Sequence, residues 1–403
     1  MIHITDKRDC CGCNSCVQRC PKSCIRMRED DEGFLYPEVD ESVCIDCGLC
    51  EKVCPVIHQA RENRPIVVCA AKNKSEEIRY QSSSGGVFTA LANEIIREGG
   101  VVFGAGFDEN WEVKHDCTET VEGLSAFRGS KYVQSRIGDS FKKAEYFLKA
   151  GRKVLFSGTP CQIAGLKRFL RKEYDNLLTV DFICHGVPSP GVWRKYLKEE
   201  TARQCGGKNS VLSHPNIKER DARIESISFR DKRLGWKKYS FALTLSVAIG
   251  HGAKNTVLLS EPLNKNIFLR GFLADLYLRP SCHACPAKNF KSGSDVTIGD
   301  FWGIQNVMPE MDDDRGVSVV IVSTESGVNL FRGMRLDNRV VDYESVLRYN
   351  PSIERAVRLT EKRNSFYANQ EGMLSEKIEK LCCLSYRQRM RGIVSRILNI
   401  LRS

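Results

Sequence analysis

Eight cysteines near the N-terminus fall into two runs of a single pattern, Cys-x2-Cys-x2-Cys-x3-Cys-Pro. Cys10, Cys13, Cys16 and Cys20 lead into Pro21, and Cys44, Cys47, Cys50 and Cys54 lead into Pro55. Thiolates at this spacing hold cubane iron–sulfur clusters. Two residues between ligands let a tight loop present three sulfurs to three irons, while the fourth cysteine serves the other cluster. By that rule Cys10, Cys13, Cys16 and Cys54 hold one 4Fe-4S cluster, and Cys44, Cys47, Cys50 and Cys20 hold a second. Each fourth cysteine is expected at the start of a short helix, seeded by the proline that follows it. Zinc competes for any Cys-x2-Cys pair, but it takes four thiolates from two pairs, and tandem triplets closed by proline match that poorly. Cys11 and Cys24 fall outside the pattern and read as packing residues. The chemistry of this segment is one-electron transfer between buried metal centres.

A second set of cysteines is scattered. Cys161 lies in the turn SGTPCQ after the strand KVLFSG, Cys184 ends LLTVDFIC, and Cys282 and Cys285 form a pair before Pro286. Two of the four come from strand ends that meet at the carboxyl edge of one sheet, where α/β domains build sites. Four thiolates suffice for one more cubane, and zinc is the other reading. No Gly-x-Gly-x-x-Gly fingerprint is present. Instead Ser83, Ser84, Gly85 and Gly86 stand directly before a helix, where hydroxyls, bare glycines and free amides suit a pyrophosphate; the plain alternative is a capped helix behind a flexible loop. Ser130, Lys131 and Tyr132 offer a hydroxyl, a cation and an aromatic face, or else a solvated loop. Ser157, Gly158 and Thr159 precede Cys161 and stand to touch two cofactors. His185 is the candidate acid or base, because imidazole titrates near neutrality; the competing role is to orient its turn or bond a cluster sulfur. His283, between two cysteines, reads as a supporting residue, Asp295 and Asp300 as turn caps or ligands of a ribityl chain, and Trp302 as packing.

These residues need a scaffold. A chain of 403 residues is too long for a two-cluster module alone. Residues 1–60 form that module, its halves 34 positions apart and separated by DDEGFLYPE as a hairpin. After the polar linker ARENRP, strand and helix signals alternate: IVVCAAK, VFTALANEIIREGG, VVFGAGF, a helix near 140–150, KVLFSG, a helix over 162–172 and LLTVDFI. Such alternation predicts an α/β domain. ISFRD, YSFALTLSVAI and NTVLLS predict an antiparallel addition, and VTIGDFWGI and SVVIVST return as strands. The fold class is α+β overall, with segments 1–60, 61–150, 151–345 and a helical basic tail over 346–403. The net charge of +11 is interspersed with acids except at RQRMRGIVSRILNILRS, so nucleic acid is not expected as a partner. Met390, Val394, Ile397 and Leu401 share one stripe there, fit for a membrane surface, a partner or the chain's own core. Nineteen cysteines with no signal segment and no long apolar run predict a reducing, cytoplasmic setting.

The N-terminal runs resemble bacterial two-cluster ferredoxins. SGTPCQIAGLKRFL, DFICHGVPSPGVWRKYL and CHACPAKNFKSGSDVTIGDFWGI, in that order and preceded by RYQSSSGGVFTAL and FRGSKYVQS, resemble the coenzyme F420 hydrogenase/dehydrogenase beta-subunit family. The resemblance spans residues 1 to 340 or so. It implies FAD beside a third 4Fe-4S cluster, with Cys161, Cys184, Cys282 and Cys285 as its ligands. It further implies an oxidoreductase whose small-molecule hydride partner is coenzyme F420 or another substrate. The alternative is an electron-transfer subunit that feeds a separate catalytic partner or exchanges electrons with a carrier protein.

Overall fold

The structure, a computed structural model, describes residues 1–206, 222–250, 253–368 and 372–382. In the N-terminal module two short helices, α1 (Ser15–Arg19) and α2 (Leu49–Lys52), each enclose the third cysteine of a run. Each helix starts from a left-handed residue, Asn14 at φ 65° and Gly48 at φ 66°, which turns the cysteine loop sharply into it. The expected placement of the fourth cysteine is corrected here. Cys20 caps the end of α1 and Cys54 follows the end of α2, so proline stops each helix rather than seeding one. The insert forms the expected hairpin, β1 (Ile25–Glu29) antiparallel to β2 (Leu35–Val39).

The main body is mixed α/β. Its strands are β3 (Val67–Asn73), β4 (Val101–Phe107), β5 (Val113–Thr118), β6 (Val154–Ser157) and β7 (Leu177–Phe182). After a separate antiparallel sheet of β8 (Ala222–Asp231), β9 (Ser240–Gly250) and β10 (Ala253–Pro262) come β11 (Val296–Asp300), β12 (Ser318–Val322) and β13 (Leu336–Val340). The eight-stranded sheet has the order β13-β3-β12-β11-β7-β6-β4-β5. β4, β6, β7 and β11 run parallel at its centre, and antiparallel strands flank them. VTIGD and SVVIV therefore lie inside the sheet, and strands from both 61–150 and 151–345 interleave in it.

Both faces of the parallel core are covered. Along β4 and β6, Val102 and Leu155 point to a cluster with Leu91 and Ile95, whereas Val101, Phe103 and Phe156 point to one with Phe141 and Leu166. That alternation is the period of a strand buried on two sides. The helices concerned are α3 (Glu76–Gln81), α4 (Val87–Arg97), α5 (Ser140–Lys149) and α6 (Pro160–Leu170). The QSSSGG segment thus begins inside α3. The helix after β6 begins two residues earlier than expected, because Thr159 and Gln162 form a capping box and Pro160 takes the first turn.

The cluster module sits on α5 and α6. Ser15 Oγ donates to the Gly165 carbonyl at 2.9 Å, Asn14 Nδ2 donates to the Gly138 carbonyl at 2.6 Å, and the Arg19 guanidinium lies 4.7 Å from the Phe169 ring centroid. Near the C-terminus, Phe366, Leu374 and Ile378 pack into the aromatic core with Phe268 and Tyr277. The stripe of Met390, Val394, Ile397 and Leu401 lies outside the described residues. No helix among the described residues is long and apolar enough to cross a membrane.

Gly165 marks the closest approach of module and body: a Cβ there would lie 2.8 Å from Cys13 Cβ. Gly165→Ala is expected to lower stability by about 1–3 kcal/mol in urea unfolding. Gly106→Ala, where the nearest atom would be 3.5 Å away, serves as the tolerant control.

Candidate functional site

Two cavities in the N-terminal module gather the two cysteine runs. One is lined by Cys10, Cys13, Cys16 and Cys54, and the other by Cys44, Cys47, Cys50 and Cys20. They enclose about 340 and 350 Å³ of empty space. Each draws three cysteines from one run and the last from the other. The two differ in setting. Cys13 of the first cavity packs against Gly165 of α6, whereas the second opens beside the exposed Cys47. Cys24 packs next to Cys20, with 3.4 Å between sulfurs. Cys11 is more than packing: its buried thiol stands beside Cys13 and Cys161. That neighbour holds Cys13 down to about 7 and lowers Cys161 as well.

The scattered cysteines converge at the carboxyl edge of the parallel strands. β6 and β7 are neighbours in register, with Ser157 opposite Val180. Cys161 is the second residue of α6, and Cys184 stands two residues past β7. Cys282 lies in the 3-10 turn Pro280–Ala284, and Cys285 caps that turn. Mutual repulsion among Cys161, Cys184, Cys282 and Cys285 adds to burial in raising the Cys282 thiol to about 12 and the Cys285 thiol to about 11. Local donors already point at the sulfurs: Val187 N–H at 3.4 Å from Cys282 Sγ, and Thr159 Oγ1 at 3.2 Å from Cys161 Sγ. Lys288 Nζ donates to the Cys184 carbonyl. Among the described residues no three His, Cys, Asp or Glu side chains gather as closely as a single ion requires, so no ready tetrahedron awaits zinc.

His185 follows Cys184. Its Nε2 lies 2.6 Å from Asp275 Oδ1, and its ring meets Phe272 edge-on at 5.6 Å. The Tyr132 ring stacks on the same Phe272 at 4.8 Å. His283 Nδ1 is 3.2 Å from the Val357 carbonyl, and burial pushes its pKa down.

The segment Ser130–Arg136 is a strap that joins these centres. Ser130 N–H donates to Ser83 Oγ at 2.6 Å, and Gln134 Nε2 donates to the Cys11 carbonyl at 3.1 Å. Gln162 of α6 donates to Ser135 Oγ at 2.9 Å. Arg230, which no sequence motif marks, donates to Tyr132 Oη, the Ser83 carbonyl and Asp300. Its guanidinium lies 3.9 Å from the Tyr239 ring centroid, and its Nε is buried without a partner. Two ammonium groups flank the same loop with only carbonyls as partners. Lys131 Nζ donates to Ala126, Arg128 and Gly129, and Lys232 Nζ to Arg79, Ser84 and Arg315. Burial pushes both down to about 7.

Several expected cofactor ligands are committed elsewhere. Gly85 is no phosphate cradle: its N–H donates to Ser318 Oγ, and a Cβ on it would meet the Ala71 carbonyl at 2.4 Å. Ser84 Oγ donates to the Val317 carbonyl. Gly86 starts α4 in the left-handed region. Ser157 Oγ donates to the Phe103 carbonyl, Gly158 N–H to Val180, and Thr159 caps α6. Asp295 ties β7 to the turn after β12 through Thr179 and Thr324, while Asp300 faces the site and also accepts from Trp236 Nε1. Trp302 stacks on Trp236 at 5.1 Å.

Three family models match the chain. A 4Fe-4S dicluster domain matches residues 9–57, the N-terminal part of the coenzyme F420 hydrogenase/dehydrogenase beta subunit matches residues 68–142, and its C terminus matches residues 151–345. The chain belongs to the coenzyme F420 hydrogenase/dehydrogenase beta-subunit family. It is similar to one of the subunits of the F(420)H(2) dehydrogenase of Methanosarcina mazei, with 25% identity over 43% of this chain and 53% of that protein. It is also similar to coenzyme F420-dependent sulfite reductase of Methanocaldococcus jannaschii, with 29% identity over 46% of this chain and 29% of that protein. The matches thus span about half of the first relative and under a third of the second. A chain of the F420-reducing NiFe hydrogenase complex from Methanosarcina barkeri overlays 79% of this chain and 91% of its own, a loose likeness at 18% identity and a TM-score of 0.42.

One buried group in the site has a pH signature. His115 on β5 stacks on Phe156, Nε2 lies 2.9 Å from the Ser157 carbonyl, and burial pushes its pKa from 6.5 down to about 4. Between those values the unfolded chain binds a proton that the folded chain refuses, so stability is full above pH 6.5 and declines as the pH falls toward 4. The effect is at most about 3 kcal/mol. The melting midpoint is expected to drop further between pH 7.5 and pH 5 in the wild type than in His115→Gln.

Proposed function

We propose that the chain is an iron–sulfur flavoprotein oxidoreductase that passes electrons between 4Fe-4S clusters and a hydride-type substrate through FAD. The observation that carries the reading is adjacency: the buried Cys11 thiol stands beside Cys13 of the inner N-terminal set and beside Cys161 of the sheet-edge set. In this reading Cys10, Cys13, Cys16 and Cys54 hold one cluster and Cys44, Cys47, Cys50 and Cys20 another. Cys161, Cys184, Cys282 and Cys285 hold the third. The cationic groups that suit an anionic dinucleotide are Lys131, Lys232 and Arg230 with its orphaned Nε, with Ser83, Ser130 and Tyr132 beside them. FAD, when bound, supplies the exchange between single electrons and hydride pairs.

The protein's own groups orient and hold protons. Asp275 fixes the His185 ring, and with Nε2–H donated to that carboxylate, Nδ1 is the nitrogen that accepts a proton. Phe272, between His185 and Tyr132, excludes water from the space they share. Coenzyme F420 is the substrate to try first, since both relatives carry it in their names.

A second reading is an electron-transfer subunit that feeds a catalytic partner. It is favoured by the exposed Met1 and Ile45 at the rim of the outer cavity, a surface fit for a docking protein.

Iron, acid-labile sulfide and flavin per chain, measured on protein purified without oxygen, test the first reading. About twelve irons and one FAD are expected; about eight irons without flavin would leave the electron-transfer subunit. Cys282→Ser is expected to lose about four irons. Lys232→Met is expected to weaken FAD binding about tenfold, or about 1.4 kcal/mol, by fluorescence titration.

A further inference from the structure

Four arginines have side chains sunk in the protein: Arg79, Arg230, Arg279 and Arg363. Three of them face a carboxylate, namely Asp313, Asp300 and Glu32. Arg279 is the most buried, at 0% exposure, and none of its bonds among the described residues goes to a carboxylate. Its Nε donates to the Cys10 carbonyl at 2.8 Å, Nη1 to Gln134 Oε1 at 2.9 Å and Nη2 to the Leu35 carbonyl at 2.9 Å. Nη2 also lies 3.6 Å from Cys10 Sγ. The guanidinium stacks against Tyr36 at 4.3 Å and Phe34 at 5.4 Å, which shut out water. An isolated buried cation is strongly disfavoured unless a negative charge answers it. The sulfur within hydrogen-bond reach of it is that of Cys10, which a bound cluster makes a thiolate.

We propose that Arg279 raises the reduction potential of the cluster held by Cys10, Cys13, Cys16 and Cys54, and so makes it the inner relay to the Cys161 site. This rests on the ligand sets of the proposed function. Reduction of a cubane adds one electron and one negative charge; Arg279 stays protonated throughout and loses no proton in the exchange. A fixed charge in a dry site favours the more negative state. Among the described residues the outer set has no equivalent: Cys47 is exposed, and Lys22 and the Met1 amine at its cavity stand at the surface, where water and salt screen them. Arg279 also braces the far side of the junction. Its backbone N–H donates to Val187, its carbonyl accepts from Cys282 N–H at 2.9 Å, and Val187 N–H points at Cys282 Sγ. One residue therefore touches a cysteine of each set, Cys10 and Cys282.

The test is an EPR-monitored redox titration of the anaerobic holoprotein. In Arg279→Gln with full iron, the inner cluster should become at least tenfold harder to reduce, about 59 mV per tenfold for one electron, with the outer cluster unmoved. Arg279→Lys should recover most of the shift, and the shift should persist in a Cys47→Ser background that lacks the outer cluster. Unchanged potentials in Arg279→Gln would overturn the proposal. So would an equal shift in Arg279→Lys, which would assign the effect to shape rather than charge. Should Arg279→Gln lose iron, Gln134→Glu keeps the guanidinium and sets a carboxylate on it; the same cluster must again become harder to reduce, and no shift would sink the idea. Iron is counted first: a Cys13→Ser protein with undiminished iron would overturn the ligand reading itself, before any potential is compared.

Discussion

A guanidinium without a carboxylate is among the harder groups to bury, and Arg279 is buried completely between the cluster module, the Ser130–Arg136 strap and the turn that carries Cys282. Its acceptors come from three separate stretches of the chain, at Cys10, Leu35 and Gln134. Each satisfies one donor and in doing so fixes where that part lies. The module's docking on α6 through Ser15 and Gly165 adds shape to this polar joint. In the proposed reading the counter-charge is a thiolate, so the joint would be complete only with its metal in place, which would couple cluster loading to the stability of the junction.

The sheet-edge site depends on a different constraint. Parallel neighbours deliver their carboxyl ends to the same edge, so β6 and β7 bring Cys161 and Cys184 together although the two are separated by a helix and a strand. β11 adds Asp300 at that edge by the same geometry. Its carboxylate holds Arg230 and Trp236, and Arg230 in turn reaches Tyr132 and the Ser83 carbonyl. The charge balance is uneven. Arg230 is answered by Asp300, but Lys131 and Lys232 have carbonyls only. Excess positive charge beside a serine–glycine loop is what an anionic dinucleotide would neutralise.

The strap connects the two. Successive residues along it turn to different neighbours: Ser130 and Tyr132 to the serine loop and Arg230, Gln134 to Arg279 and Cys11, and Ser135 to α6.

Much of this is legible in the sequence, and the division follows the range of the interactions. Cysteine spacing, strand and helix signals, the hairpin insert and the parallel delivery of Cys161 and Cys184 are short-range or periodic, and they read directly from local order. The short helices beside Cys20 and Cys54 are the exception, because the left-handed Asn14 and Gly48 start each one ahead of its fourth cysteine. Tertiary structure alone decided the rest. It made Gly85 a packing residue against Ala71, gave Cys11 its place between Cys13 and Cys161, and brought Arg230, Lys232, Gln134 and Arg279 to the site. Each of those roles is set by partners far away in the chain, Arg279 and Cys10 being 269 positions apart. A lone arginine in an apolar run carries no periodicity that announces which sulfur it will meet.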